Sequence, residues 1–114
     1  MRVQMETPSG VMATIKMDVV RYRHYNITQH AIERFAERAR MTLDNLFVSL
    51  DRAVLADARR ARDHRIQQQI RQSEKKGGYC MFDPETQIYF FMAVGQTRHT
   101  ICTIMTRDTM IYDH

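Results

Sequence analysis

Three residues carry the most chemical potential in the chain: His30, Arg34 and Arg38, spaced four apart. Four residues make slightly more than one helical turn, so on a helix they form one stripe. Thr28 is a good N-cap and places His30 in the first turn. There the positive end of the helix dipole disfavours a protonated imidazole, which leaves His30 neutral and able to accept a proton. The unpaired N–H groups of that turn attract anions. Arginine stays charged and can give two parallel hydrogen bonds to a phosphate. A base beside two phosphate clamps suits phosphoryl chemistry. The plainer alternative is a solvated face, with Arg34 and Glu37 paired at i, i+3 and Glu33 offsetting part of the charge.

The second group of candidates lies near the C-terminus. Arg98 and His99 sit in a turn, Arg107 follows a strand-like run, and Tyr89 lies on the face opposite Ile88, Phe90, Met92 and Val94. An exposed Tyr89 could stack a base, whereas Phe91 is expected in a small second core. The third group is electrostatic. The segment 59–76 holds Arg59, Arg60, Arg62, Arg65, Arg71, Lys75 and Lys76 against Asp63 and Glu74, a net +5. The whole chain carries +4, so the remainder is −1. A block this local fits a polyanion, with Arg59, Arg60, Arg62, Arg65 and Arg71 as contacts to nucleic acid. The alternative is a solubilising helix face. His64 lies within the block and is read as part of its grip, not as a catalytic group.

These residues need elements to position them. The expected class is α+β: two N-terminal helices packed on a C-terminal antiparallel meander of three or four strands. The first helix runs over 28–40, with Ile32, Phe35, Ala36 and Ala39 on its apolar face. The second starts after Thr42 and buries Leu43, Leu46, Phe47, Leu50, Val54 and Ala58. It continues to about 73 as a basic projection and ends at Gly77-Gly78, giving a projection and linker over 59–78. Strands are expected over 79–83, 87–94 and 100–106, with a short last one over 109–112. Residues 1–10 read as a flexible arm, and 11–25 as one or two strands.

The 114 residues suit a single domain. The N-terminus lacks the apolar core of a signal peptide, and no run is long enough to span a bilayer. Cys80 and Cys102 read as reduced, buried thiols, with a disulfide between them as the lesser alternative, and no Cys or His spacing matches a zinc site. The expectation is a cytoplasmic protein without metal or other cofactor.

The run from Ile27 to Arg38, Ile-Thr-Gln-His-Ala-Ile-Glu-Arg-Phe-Ala-Glu-Arg, resembles the first helix of phage early-messenger endoribonucleases in the RelE-like superfamily. It is similar too to small domains with a His-x-x-x-Arg-x-x-x-Arg helix before a meander. The run from His99 to Thr106 looks like their terminal strand. The resemblance covers 27–55 and 79–112; the basic segment lies outside it. It implies metal-independent cleavage of messenger RNA by 2′-hydroxyl attack on the adjacent phosphate. His30 would then be base or acid, Arg34 and Arg38 phosphate clamps, His99 its partner and Arg107 a further cation. Two other readings stay open. One is a non-catalytic nucleic-acid-binding or regulatory protein using 59–76. The other is an inhibitor docked on a host protein. An antitoxin-like partner and a homodimer also remain open.

Overall fold

A computed structural model describes residues 2–61 and 63–106. Among these residues eight strands form one mixed sheet: β1 (Arg2–Glu6), β2 (Met12–Lys16), β3 (Val19–Tyr22), β4 (Tyr25–Thr28), β5 (Val54–Leu55), β6 (Tyr79–Asp83), β7 (Ile88–Val94) and β8 (His99–Thr106). Three helices accompany it, α1 (Gln29–Ala39), α2 (Leu43–Arg52) and α3 (His64–Lys75), with a 3₁₀ turn at Ala58–Arg60. The strand order is β1-β2-β3-β4-β8-β7-β6-β5. Every neighbouring pair is antiparallel except β4 and β8, which run parallel through Tyr25↔His99, Asn26↔Thr100 and Ile27↔Ile101.

The class is α+β, but the expected arrangement is overturned in three places. The N-terminus is not a flexible arm before two leading helices. Residues 2–6 form β1, registered against β2 from Arg2↔Lys16 to Glu6↔Met12, and two further strands follow before α1. The meander of β6, β7 and β8 is therefore only part of an eight-stranded sheet. Third, the long second helix is broken. α2 ends at Arg52, and Val54, a β-branched residue, pairs with Phe82 as an edge strand. Two aspartates then restart the chain: Asp57 caps the 3₁₀ turn, and Asp63 caps α3 by accepting from the Arg65 N–H at 2.8 Å.

That restart resets the helical phase. Continuing α2's stripe would aim polar residues at the core, but the new register puts Ile66 and Ile70 inward, four apart. They pack with Ala58, Cys80 and Phe91 in a second core on one face of the sheet. α3 is thus docked, not projecting. Its end is a Schellman turn, with Gly78 N–H donating to the Ser73 carbonyl and Gly77 N–H to that of Glu74. Gly77 holds φ at 83°, which glycine adopts without strain.

The larger core lies on the opposite face, under α1 and α2. Phe35, Leu46, Phe47 and Leu50 meet Tyr22, Ile27, Phe90, Ile101 and Ile104 there. Thr28 caps α1 as its type predicts, accepting from the Ala31 N–H at 3.1 Å. Asp83 fixes α2 to the end of β6. It is fully buried and accepts from Ser49 (2.6 Å), Thr86 (2.7 Å), Arg52 (3.0 Å) and the Glu85 N–H (3.1 Å). Burial pushes its carboxyl upward, but these four donors outweigh burial and hold it below the usual range.

A carboxyl depressed in the folded state stabilises the fold above its unfolded pKa, and that stabilisation is lost as pH falls through the folded value. Asp83→Ala should cost on the order of 3 kcal/mol at neutral pH, since it strands several buried donors. It should also flatten the acid limb of stability below about pH 4. Denaturant unfolding across pH checks both; a loss under about 1 kcal/mol would contradict this role.

Candidate functional site

The parallel pairing of β4 with β8 sets the positions of the candidate residues. Tyr25, at the start of β4, lies opposite His99, at the start of β8. α1 begins beyond the other end of β4, so His30 and His99 occupy opposite ends of this strand pair. Three residues of strand separate those ends, about 10 Å. The sequence expectation that His99 partners His30 is therefore not met.

The α1 stripe exists as a line on the helix, but its members engage different groups. His30 is exposed, and its Nε2 accepts from Arg34 Nε at 3.5 Å, a weak contact. Arg34 also reaches Glu37 at 3.3 Å, the pairing that the plainer reading anticipates. Arg38 donates to the Ile104 carbonyl at 2.8 Å, three residues past the last β4–β8 pair. Arg38 thereby fastens α1 to β8.

A tighter constellation surrounds His99. The Tyr79 hydroxyl hydrogen-bonds His99 Nδ1, and the two rings meet edge to face. The His24 ring lies 5.4 Å from the His99 ring and 3.9 Å from that of Tyr25. The two histidines are joined along the backbone as well, His99 N–H donating to the His24 carbonyl at 2.9 Å. Arg23 holds φ at 53°, the left-handed geometry that closes the two-residue turn of the β3–β4 hairpin and brings His24 there. Arg98 borders the group, donating to Asn26 Oδ1 at 2.8 Å and to the Tyr25 carbonyl at 2.6 Å. Arg23 reaches Asp51 at 2.8 Å, and Asp51 also accepts from the buried Tyr22 hydroxyl at 2.6 Å.

The electrostatics differ between the members. Burial, and then the neighbouring His99, Arg98 and Arg23, lower the pKa of His24, so this imidazole is neutral near pH 7. Burial raises Tyr25, with Asp51 adding to it. Burial and then Tyr25 raise Tyr79, so both phenols keep their protons. The result is a neutral imidazole beside a second imidazole whose ring a phenol holds in place, with two guanidinium groups at the margin. Such a set can take a proton at one point and give one at another.

Of these residues, sequence reasoning singled out His99 and Arg98 and missed His24, Tyr25 and Tyr79. No local pattern links them: Tyr79 and His99 are twenty apart, and His24 is far upstream. The other candidates are dispersed. Tyr89 does not offer an open stacking face; its ring meets Phe82 at 4.5 Å and packs on the second core. Arg59 pairs with Asp57 at 3.2 Å, and Arg60, Arg65 and Arg71 are exposed on the 3₁₀ turn and α3. Arg62, Arg107 and the strand expected over 109–112 lie outside the described residues. The two thiols differ: Cys80 is buried, whereas Cys102 is exposed, contrary to the expectation that both are buried.

Among the described residues, no three His, Cys, Asp or Glu side chains group as metal ligands, and no helix is long and apolar enough to cross a membrane. No protein-family model, curated protein or solved structure matches the chain.

The environment of His24 has a measurable consequence. Its imidazole should titrate below the ordinary 6.5. Arg98→Gln removes one positive neighbour and should move that midpoint upward, towards 6.5. Proton-detected NMR titration of the ring checks both, and a wild-type midpoint at or above 6.5 would contradict this description of the site.

Proposed function

We propose that the protein is a metal-independent endoribonuclease and that its reaction centre is the His24–His99–Tyr79 cluster. The observation that carries this reading is the pair of imidazoles 5.4 Å apart, flanked by arginines at an accessible end of the sheet. RNA cleavage without a metal needs one group to take the 2′-hydroxyl proton and another to protonate the leaving 5′-oxygen. His24, neutral and flanked by cations, is the base. The 2′-oxygen then bonds to phosphorus, the bond from phosphorus to the 5′-oxygen breaks, and a 2′,3′-cyclic phosphate remains. His99 is the acid, and Tyr79 is a positioning residue that fixes its ring through Nδ1. Arg98, which bonds neutral acceptors and keeps its charge, favours a negatively charged phosphate at this end, while Asp51 offsets much of the charge of Arg23.

The positive surface of α3 supports RNA as the polyanion. Arg65, Arg71, Lys75 and Lys76 are exposed there, and this charge would supply salt-dependent affinity. The resemblance of the α1 segment points to the same reaction class but places its centre at His30. Among the described residues His30 makes a weak 3.5 Å contact with Arg34, which pairs with Glu37, and Arg38 is engaged with β8, so the His24–His99 pair is the better acid–base couple.

Incubation of single-stranded RNA with the protein in EDTA tests the proposal. Cleavage is expected, with His24→Ala and His99→Ala each slower by about 10² or more. Tyr79→Phe should be slowed less and retain the fold. Cleavage that survives both histidine changes but is lost in His30→Ala would move the centre to α1. Salt-sensitive binding without cleavage would leave a non-catalytic RNA-binding protein.

A further inference from the structure

The cavity of about 290 Å³ between α3 and the β7–β8 hairpin has no part in the reaction described above. Gln69, Gln72 and Ser73 of α3, with Lys76 just after it, form one wall, and Cys102 and Thr103 of β8 form the other, over Phe91 and Ala93. A bulge opens the β8 side. Phe91 pairs with Thr103 and Met92 with Ile101, which leaves Cys102 as the extra residue. Gly78 closes the end of the groove, where a Cβ would come within 2.3 Å of the Met92 carbonyl oxygen. The lining is made of amides, hydroxyls, one ammonium group and an apolar floor, with no carboxylate.

We propose that this groove receives one unstacked base of the RNA strand whose phosphate lies at His24 and His99. The inference rests on the endoribonuclease reading for that phosphate, but the groove's chemistry stands separately. Glutamine amides and hydroxyls match the Watson–Crick edge of a base, and that edge is free only in single-stranded RNA. The volume falls at the small end of ligand sites, roughly 300 Å³, which fits one base and excludes a duplex. Lys76 can meet the adjoining phosphate.

Groove and cluster share one end of the sheet and are linked through the backbone at two points. Gly78 lines the groove, and the next residue, Tyr79, holds His99. Across the ladder, Val94 lines the groove, and its register partner is His99. The groove lies on the α3 face, and Tyr79 packs against the core on the other, so the strand would pass around the hairpin end. The turn there is tight, since a Cβ at Gly95 would sit 2.4 Å from the Arg98 carbonyl oxygen, and its exposed tip carries Gln96 and Thr97.

Cys102 provides the test, because it is exposed in the groove while Cys80 is buried, its thiol pushed up to about 12 by burial and then by Glu74. The probe is a single-stranded RNA of nine residues with 2′-O-methyl sugars, which cannot be cleaved by 2′-oxygen attack. At saturating concentration it should slow maleimide labelling of Cys102 by about fivefold or more, as mass action requires for an occupied site. The same strand in a duplex should give no protection. The Gln69→Ala, Gln72→Ala double variant should lose protection while keeping its far-ultraviolet circular dichroism. His99→Ala should retain protection, because it removes chemistry and not the groove. Unchanged labelling with the single strand would overturn the groove assignment, whatever the cleavage assay shows. Equal protection by poly-glutamate would overturn it too, by showing a site for acidic polymers. Protection by RNA in a protein that cleaves none would uphold the groove and remove the reaction.

Discussion

Three residue pairs hold the two halves of this sheet together. Tyr25, Asn26 and Ile27 of β4 lie parallel to His99, Thr100 and Ile101 of β8. On the β1 side of this seam every pair is an antiparallel hairpin; on the β5 side the pairs are antiparallel too, but β5 reaches β6 only through the 3₁₀ turn and α3. A parallel pair needs a long crossover, which α1, α2, the 3₁₀ turn and α3 supply together with β5, β6 and β7. The seam also decides which distant residues become neighbours. It brings His24, at the tip of one hairpin, against His99, at the start of the last strand. The same register carries α1 away from that end, and His30 with it.

The crossover covers the sheet unevenly. α1 and α2 seal one face, with Arg38 on the Ile104 carbonyl and Asp83 gathering Ser49, Thr86 and Arg52 as the fixed points. α3 reaches only part of the other face, through Ile66 and Ile70, and leaves a groove beside β8. The polar groove is a consequence of where α3 stops, whereas the His24–His99–Tyr79 cluster follows from the seam.

The sequence made local features legible and long-range ones opaque. Thr28, Phe35, Leu46, Phe47 and Leu50 follow from capping and helical periodicity, and β6, β7 and β8 follow from their β-branched and aromatic runs. The alternation in β7 separates Ile88, Phe90 and Met92 from Phe91, and the structure places them in different cores. The break after Arg52 was legible in principle, through Val54 and the two capping aspartates, but an apolar stripe running into a basic one reads as a single helix. β1 to β4 were obscured because charges and methionines interrupt their alternation. Their outer face is largely free of helices, so Lys16 and Arg21 are tolerated there. The His24–Tyr79–His99 cluster has no sequence signature at all, because it depends on the parallel register of the seam.

On the proposed reading, RNA is held by the positive surface of α3, one imidazole takes the 2′-hydroxyl proton and the other protonates the leaving 5′-oxygen. The chemistry of the products tests it most directly. Phosphorus-31 NMR of RNA treated with the protein in EDTA should show a 2′,3′-cyclic phosphate resonance, the mark of 2′-oxygen attack. Products ending in a 3′-hydroxyl and a 5′-phosphate, with no cyclic phosphate at any time, would contradict it.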